Sequence, residues 1–196
     1  MTERFTLTTS DGESLEARWD LAPTPDGVVV FCHPHPLQGG SMMAPLMIAV
    51  TTRLVERGFS VLRFNFRGTG ASSGSHEGGE GELLDLTAAV AAASSSGVKL
   101  NMAGWSFGAG VALNWLSRQA GPVGYVGIAP AAVGLPEELP AGPKRIVVGY
   151  RDQVVNLDEL RRYAERQHID LLMVPGDHFF HGRGKRIGDL VAQGFE

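Results

Sequence analysis

Residues Gly104-Trp105-Ser106-Phe107-Gly108 place a serine between glycines two positions before and two after it. The apolar run Val98 to Ala103 leads into this segment, and a helix-like run, Ala109 to Leu116, follows it. A serine on a sharp strand-to-helix turn has its hydroxyl pushed clear of the sheet, and the small neighbours let the turn close. The chemistry such a group can do is nucleophilic attack. A serine hydroxyl is weak at neutral pH, so it needs a base within hydrogen-bond reach and an anion to hold that base in the right tautomer. In an open parallel sheet, ligands sit outside the carboxyl ends of the strands. Partners are therefore sought just after strands. Asp152 stands two residues past the apolar run Arg145–Tyr150, whereas Asp158 falls inside a helix and Asp170 precedes a strand. The last strand is followed by Gly176-Asp177-His178-Phe179-Phe180-His181-Gly182. His178 is preferred to His181 because it lies nearer the strand end, after a glycine-containing turn that can aim it inward. His168, at a helix end, and His76, in a Gly/Ser-rich loop, are set aside, as is Asp177, which adjoins the base in sequence.

These three loops need a scaffold. Residues 4–9 and 13–19 flank Ser10-Asp11-Gly12, and Asp-Gly between alternating segments signals a hairpin. Val28–Cys32 is apolar on both faces, as a central parallel strand must be. A helix is expected over Ala44–Glu56, ending at Gly58, and a strand over Phe59–Phe66. Glu80–Ala93 reads as a helix with acidic residues in its first turns, where the dipole favours them. The serine-bearing strand Val98–Ala103 is followed by a helix over 107–119. Strands are expected at Val123–Ala129, Arg145–Tyr150 and Leu171–Pro175, with helices at Leu157–Gln167 and Arg183–Gln193. A hairpin followed by repeated βα units predicts an α/β fold. Its sheet would be mostly parallel and twisted, with about eight strands and helices on both faces.

The 196 residues fit one domain over 1–196 with a sizeable core. A hydrophobic fraction of 43% and a charged fraction of 19% exclude a disordered chain or a coiled coil. A formal charge of −4 argues against nucleic acid as a partner. The single cysteine, Cys32, fits a reducing compartment, and neither a signal peptide nor a membrane-length apolar stretch is evident. The expected location is cytoplasmic. No metal-ligand spacing occurs, and no cofactor or membrane partner is called for. The oligomeric state is not legible.

Four blocks carry a resemblance. They are His33-Pro34-His35-Pro36-Leu37-Gln38-Gly39-Gly40, Arg63-Phe64-Asn65-Phe66-Arg67-Gly68-Thr69-Gly70-Ala71-Ser72, Gly104–Gly108, and Asp177-His178-Phe179-Phe180-His181-Gly182. In this order and across nearly the whole chain, they resemble the α/β-hydrolase fold family. More narrowly, the chain is similar to small, lidless bacterial serine hydrolases. The chain order Ser, Asp, His is the order of that fold. The resemblance implies a triad of Ser106, Asp152 and His178. Arg151 departs from it, since similar proteins often have an acidic or small residue there.

Acyl transfer builds negative charge on the former carbonyl oxygen, and backbone N–H donors aimed there each matter by a few kcal/mol. One donor is expected from Phe107, the residue after the nucleophile, at the positive end of its helix. The second is expected from the loop after Val28–Cys32. Pro34 and Pro36 have no N–H, which leaves Leu37 and His35, with Leu37 favoured by the way the prolines and Gly39-Gly40 shape the turn. Arg67 reads as a structural hydrogen-bond centre. The interval Pro130–Pro143 is too short for a cap domain, so the site should be shallow and open. Trp105, Phe107, Phe179, Phe180, Met42 and Met43 are candidate apolar lining. The function expected is hydrolysis of small, short-chain carboxylic esters through an acyl-serine. Thioesterase or amidase action by the same triad, or a non-catalytic binding module on the same scaffold, are the alternatives.

Overall fold

A computed structural model describes residues 1–131 and 134–196; Ala132 and Val133, within the interval considered for a lid, lie outside the described residues. The strands β1 (Thr2–Thr8), β2 (Ser14–Asp20), β3 (Gly27–Cys32), β4 (Phe59–Phe64), β5 (Leu100–Trp105), β6 (Gly124–Ile128), β7 (Lys144–Gly149) and β8 (Asp170–Val174) form one sheet in the order β1-β2-β4-β3-β5-β6-β7-β8. The β1–β2 and β2–β4 pairs are antiparallel and every later pair is parallel. The hairpin turns at Asp11-Gly12, with Gly12 at φ 93°. Every residue of β3, β4 and β6 is buried, as strands covered on both faces require.

Five helices occur among the described residues: α1 (Pro45–Glu56), α2 (Glu80–Ser94), α3 (Phe107–Leu116), α4 (Leu157–Arg166) and α5 (Gly184–Gln193). Right-handed crossovers decide their faces. The chain moves from β3 to β4 in one direction across the sheet. It then moves in the opposite direction for β4 to β5, β5 to β6 and β7 to β8. Helix α1 therefore covers one face, and α2, α3 and α4 the other. Helix α5 packs against α1, and α2 against α3. No helix of the described residues is long and apolar enough to cross a membrane.

Element boundaries differ from the expectation in instructive places. Strand β4 ends at Phe64 rather than Phe66: Asn65 N–H still donates to Glu16 O of β2, but Phe66 N–H leaves the ladder for the His33 side chain at Nε2. Strand β5 runs two residues beyond Ala103, since Gly104 and Trp105 pair with Gly127 and Ile128 of β6. Helix α3 ends at Leu116, and the amides of Arg118 and Gln119 close tight turns onto Trp115 O and Leu116 O. The reversal of chain direction lies between β3 and β5, so the carboxyl ends of these two strands frame the crevice where a ligand is expected.

Candidate active site

Ser106 follows β5 directly and precedes α3, with φ 54° and ψ −116°. A non-glycine residue in this region stores about 1–3 kcal/mol of strain. Two close approaches enforce the turn. A Cβ on Gly104 would lie 2.5 Å from Ala109 Cα, and one on Gly108 would lie 2.4 Å from His33 O. Only glycine lets α3 pack this tightly against β5 and the end of β3. Ser106 N–H donates to Ile128 O at 2.8 Å, which extends the sheet ladder to the serine itself.

The loops after β7 and β8 converge on this hydroxyl. Ser106 Oγ lies 3.0 Å from His178 Nε2, and His178 Nδ1 lies 2.9 Å from Asp152 Oδ2. The Asp152 side chain is wholly buried and its second oxygen, Oδ1, accepts from Val154 N–H at 2.8 Å and Val155 N–H at 2.9 Å. Burial pushes the Asp152 carboxyl upward, but the bonds from His178 and from the amides of Val155 and Val154 outweigh it and hold the group below its usual range. Asp152 is therefore ionised at neutral pH. It orients His178 with a proton on Nδ1, leaving Nε2 free to accept one from Ser106.

Each loop is held by contacts that sequence reasoning did not assign. Asp177 is a turn-former: its Oδ1 accepts from Phe179 N–H at 3.1 Å and Phe180 N–H at 3.0 Å. Phe180, at φ 51°, is 1% exposed and pins the loop into the core. The Trp105 indole N–H donates to His178 O at 3.2 Å. The β7 loop is tied to the β8 loop by Tyr150 N–H to Val174 O and Arg151 N–H to Gly176 O. His181 is exposed and stacks on Phe179, so it does not join the chain of groups at Ser106.

Phe107 is the first residue of α3, where helix amides have no intrahelical acceptor. Across the crevice, Pro36–Gln38 forms a single 3₁₀ turn. Leu37 N–H donates to His35 Nδ1 at 3.3 Å and the Leu37 side chain projects into solvent, 76% exposed. His35 instead borders a cleft of about 220 Å³ together with Ser106, Trp105, His178 and Phe179. A second cavity, of about 250 Å³, opens on the other side of Ser106 along α3.

His33 is buried at the root of the β3 loop. Its Nδ1 lies 2.6 Å from Pro34 O and its Nε2 accepts Phe66 N–H at 3.0 Å. Both ring nitrogens are thus committed in the neutral form. Burial drives this imidazole down to about 4, against the opposing pull of the Pro34 carbonyl and Glu82. His76, set aside on sequence, packs 4.8 Å from the His35 ring and 5.2 Å from that of Phe107, with Nδ1 2.7 Å from the buried carboxylate of Glu82. A loop histidine brought beside the turn that carries Ser106 leaves no trace in the local sequence pattern.

Of the expected apolar lining, Trp105, Phe107 and Phe179 border the two clefts. Phe180 and Met42 are buried in the interior instead, and Met43 is 43% exposed. Arg67 is the structural centre foreseen. Its guanidinium, 2% exposed, reaches Asp85 at 2.8 Å, Asp11 at 3.0 Å and Glu77 at 2.7 Å. Arg151 is exposed beside Asp152.

The sheet order, the nucleophile turn at its switch point and the helices on both faces define an α/β-hydrolase fold of the serine hydrolase type. Residues 23–157 match the family model described as serine aminopeptidase, S33, and the chain belongs to that family. An uncharacterized protein of Rickettsia prowazekii (strain Madrid E) is 30% identical, over 90% of this chain and 82% of that protein. The structure is similar to an alpha-beta serine hydrolase homologue from Coxiella burnetii, with TM-score 0.89 and 29% identity over 99% of this chain and 97% of that one. It is equally similar, at TM-score 0.89 and 28% identity, to an a/b serine hydrolase without lid from Xanthomonas campestris, covering 98% of this chain and 93% of that one.

Proposed function

We propose that this protein hydrolyses small carboxylic esters through an acyl-enzyme on Ser106. The observation that carries the reading is the unbroken chain of contacts from Ser106 Oγ to His178 Nε2 and from His178 Nδ1 to Asp152 Oδ2. His178 takes the hydroxyl proton as Oγ attacks the ester carbonyl, and returns it to the departing alcohol oxygen. A water molecule, deprotonated by the same nitrogen, then attacks the acyl-serine, and His178 returns that proton to Ser106 Oγ as the acid leaves. The oxyanion of each tetrahedral intermediate is held by Phe107 N–H. The second donor is His35 N–H, since Leu37 N–H is committed to the His35 ring.

An open site with apolar walls suits esters of modest size. Rates on oxygen-ester, thioester and amide forms of one acyl group test the leaving group. The ester reading predicts the highest kcat/KM for the oxygen ester, and a preference for the amide would replace it with the amidase reading. Folded protein whose Ser106 resists a fluorophosphonate would support the non-catalytic reading.

A further inference from the structure

Helix α3 contains a glycine that its packing against the described residues does not require. Gly104 and Gly108 have no room for a side chain, whereas the described residues leave room at Gly110. Outside its own stretch of helix, the one heavy atom among the described residues within 4 Å of a Cβ built there is Leu135 Cδ2, at 3.8 Å. That is ordinary van der Waals contact. Glycine inside a helix costs about 0.8–1 kcal/mol relative to alanine, so the residue is disfavoured locally and no described residue makes a steric demand for it. Gly110 lies four positions after Ser106, one turn along the same helix face. That face forms one wall of the cavity of about 250 Å³ that opens on Ser106, lined by Leu83, Phe107, Gly110, Val111, Asn114 and Gly134.

We infer that this cavity is the acyl subsite, that it takes an unbranched aliphatic acyl chain, and that Gly110 sets how long a chain fits. The inference rests on the ester hydrolase reading above. The side is decided by proton transfer. His178 must protonate the departing oxygen, and His178 borders the opposite cleft beside Trp105 and Phe179. The alcohol therefore leaves on that side and the acyl chain lies along α3. Leu83, Val111 and Phe107 give the groove apolar walls. Asn114 Nδ2 donates to Gly110 O and to Gly134 O, both at 3.0 Å, which ties the far end of the groove together. At a rise of about 1.5 Å per residue, Asn114 stands ~12 Å beyond Ser106, the span of an extended chain of roughly ten carbons. Glu80 on the rim disfavours acyl chains that end in a carboxylate.

The test is the ratio of kcat/KM for p-nitrophenyl octanoate to that for p-nitrophenyl acetate. In Gly110→Leu the ratio is expected to fall at least tenfold. In Gly110→Ala it is expected to fall less, while Tm rises from the better helix former; this smaller change carries the test if the leucine variant does not fold. A ratio within twofold of wild type in the folded variants overturns the subsite and leaves the ester reading standing. Loss of activity on octyl acetate instead of on octanoate esters would put the alcohol in the groove and overturn the side assignment. Wild-type protein that turns over no ester overturns the ester reading, and the subsite with it.

Discussion

Replacing Asp152 with asparagine keeps the shape of the side chain and changes its hydrogen-bond roles. Asp152 Oδ1 accepts from two backbone amides, at 2.8 and 2.9 Å, and Oδ2 faces His178 Nδ1 at 2.9 Å. An asparagine keeps its oxygen toward the two amides, because the opposite orientation would set its NH2 against both N–H groups. Its NH2 then faces His178 and makes Nδ1 an acceptor, which moves the ring proton to Nε2. That nitrogen can no longer accept the Ser106 proton. Recovering the productive tautomer means flipping the amide against two backbone donors, one buried and one partly buried, at roughly 1–3 kcal/mol each. The middle of that range, about 4 kcal/mol, corresponds to a loss of about 10³-fold in rate. Steady-state hydrolysis of p-nitrophenyl acetate by Asp152→Asn measures it, with a thermal melt to confirm the fold. Activity within fivefold of wild type would refute the argument that Asp152 selects the His178 tautomer.

Other consequences are equally concrete. His178→Ala should abolish turnover of p-nitrophenyl acetate while His181→Ala retains it, and the reverse pattern would show that the base was misassigned. Neutral His33 predicts acid sensitivity: its folded value of about 4 lies below the usual 6.5, so the unfolded chain binds the extra proton first. The associated stability is present above pH 6.5 and lost as pH falls toward 4, amounting to about 2.5 kcal/mol at pH ~4.5. Urea unfolding at pH 7 and pH ~4.5 should show a smaller acid loss in His33→Gln than in wild type; parallel losses would contradict this role. Arg67→Met should destabilise the fold by about 3–5 kcal/mol, because Asp85 would remain buried without its cation. A shift in unfolding midpoint equivalent to under 1 kcal/mol would show that the Arg67–Asp85 pair is dispensable.

The N-terminal hairpin, the mostly parallel sheet and the sharp turn at Ser106 were legible because they depend on local signals: Asp11-Gly12 for the hairpin, doubly apolar Val28–Cys32 for a central strand, and Gly104 and Gly108 for the turn; the order of the strands across the sheet was not. Asp152 and His178 followed from one topological rule, that ligands meet the carboxyl ends of parallel strands. What escaped depends on contacts between distant segments. The 3₁₀ turn at Pro36–Gln38 turns Leu37 outward and commits its amide to His35, which nothing in the run of prolines reveals. Phe180 sits next to exposed Phe179 yet goes into the core, since its backbone turns at φ 51°. His76 and Glu82 reach the site only because α2 is laid beside α3. Gly110 lies outside the pattern around Ser106, and nothing in the sequence reveals the space that the described residues leave beside it.

The most direct measurement is peptide mapping of folded protein after reaction with a fluorophosphonate. A nucleophile primed by His178 predicts one adduct, carried by the peptide containing Ser106 and absent from the Ser106→Ala variant. Folded protein that forms no adduct, or that carries it on another residue, would contradict the account.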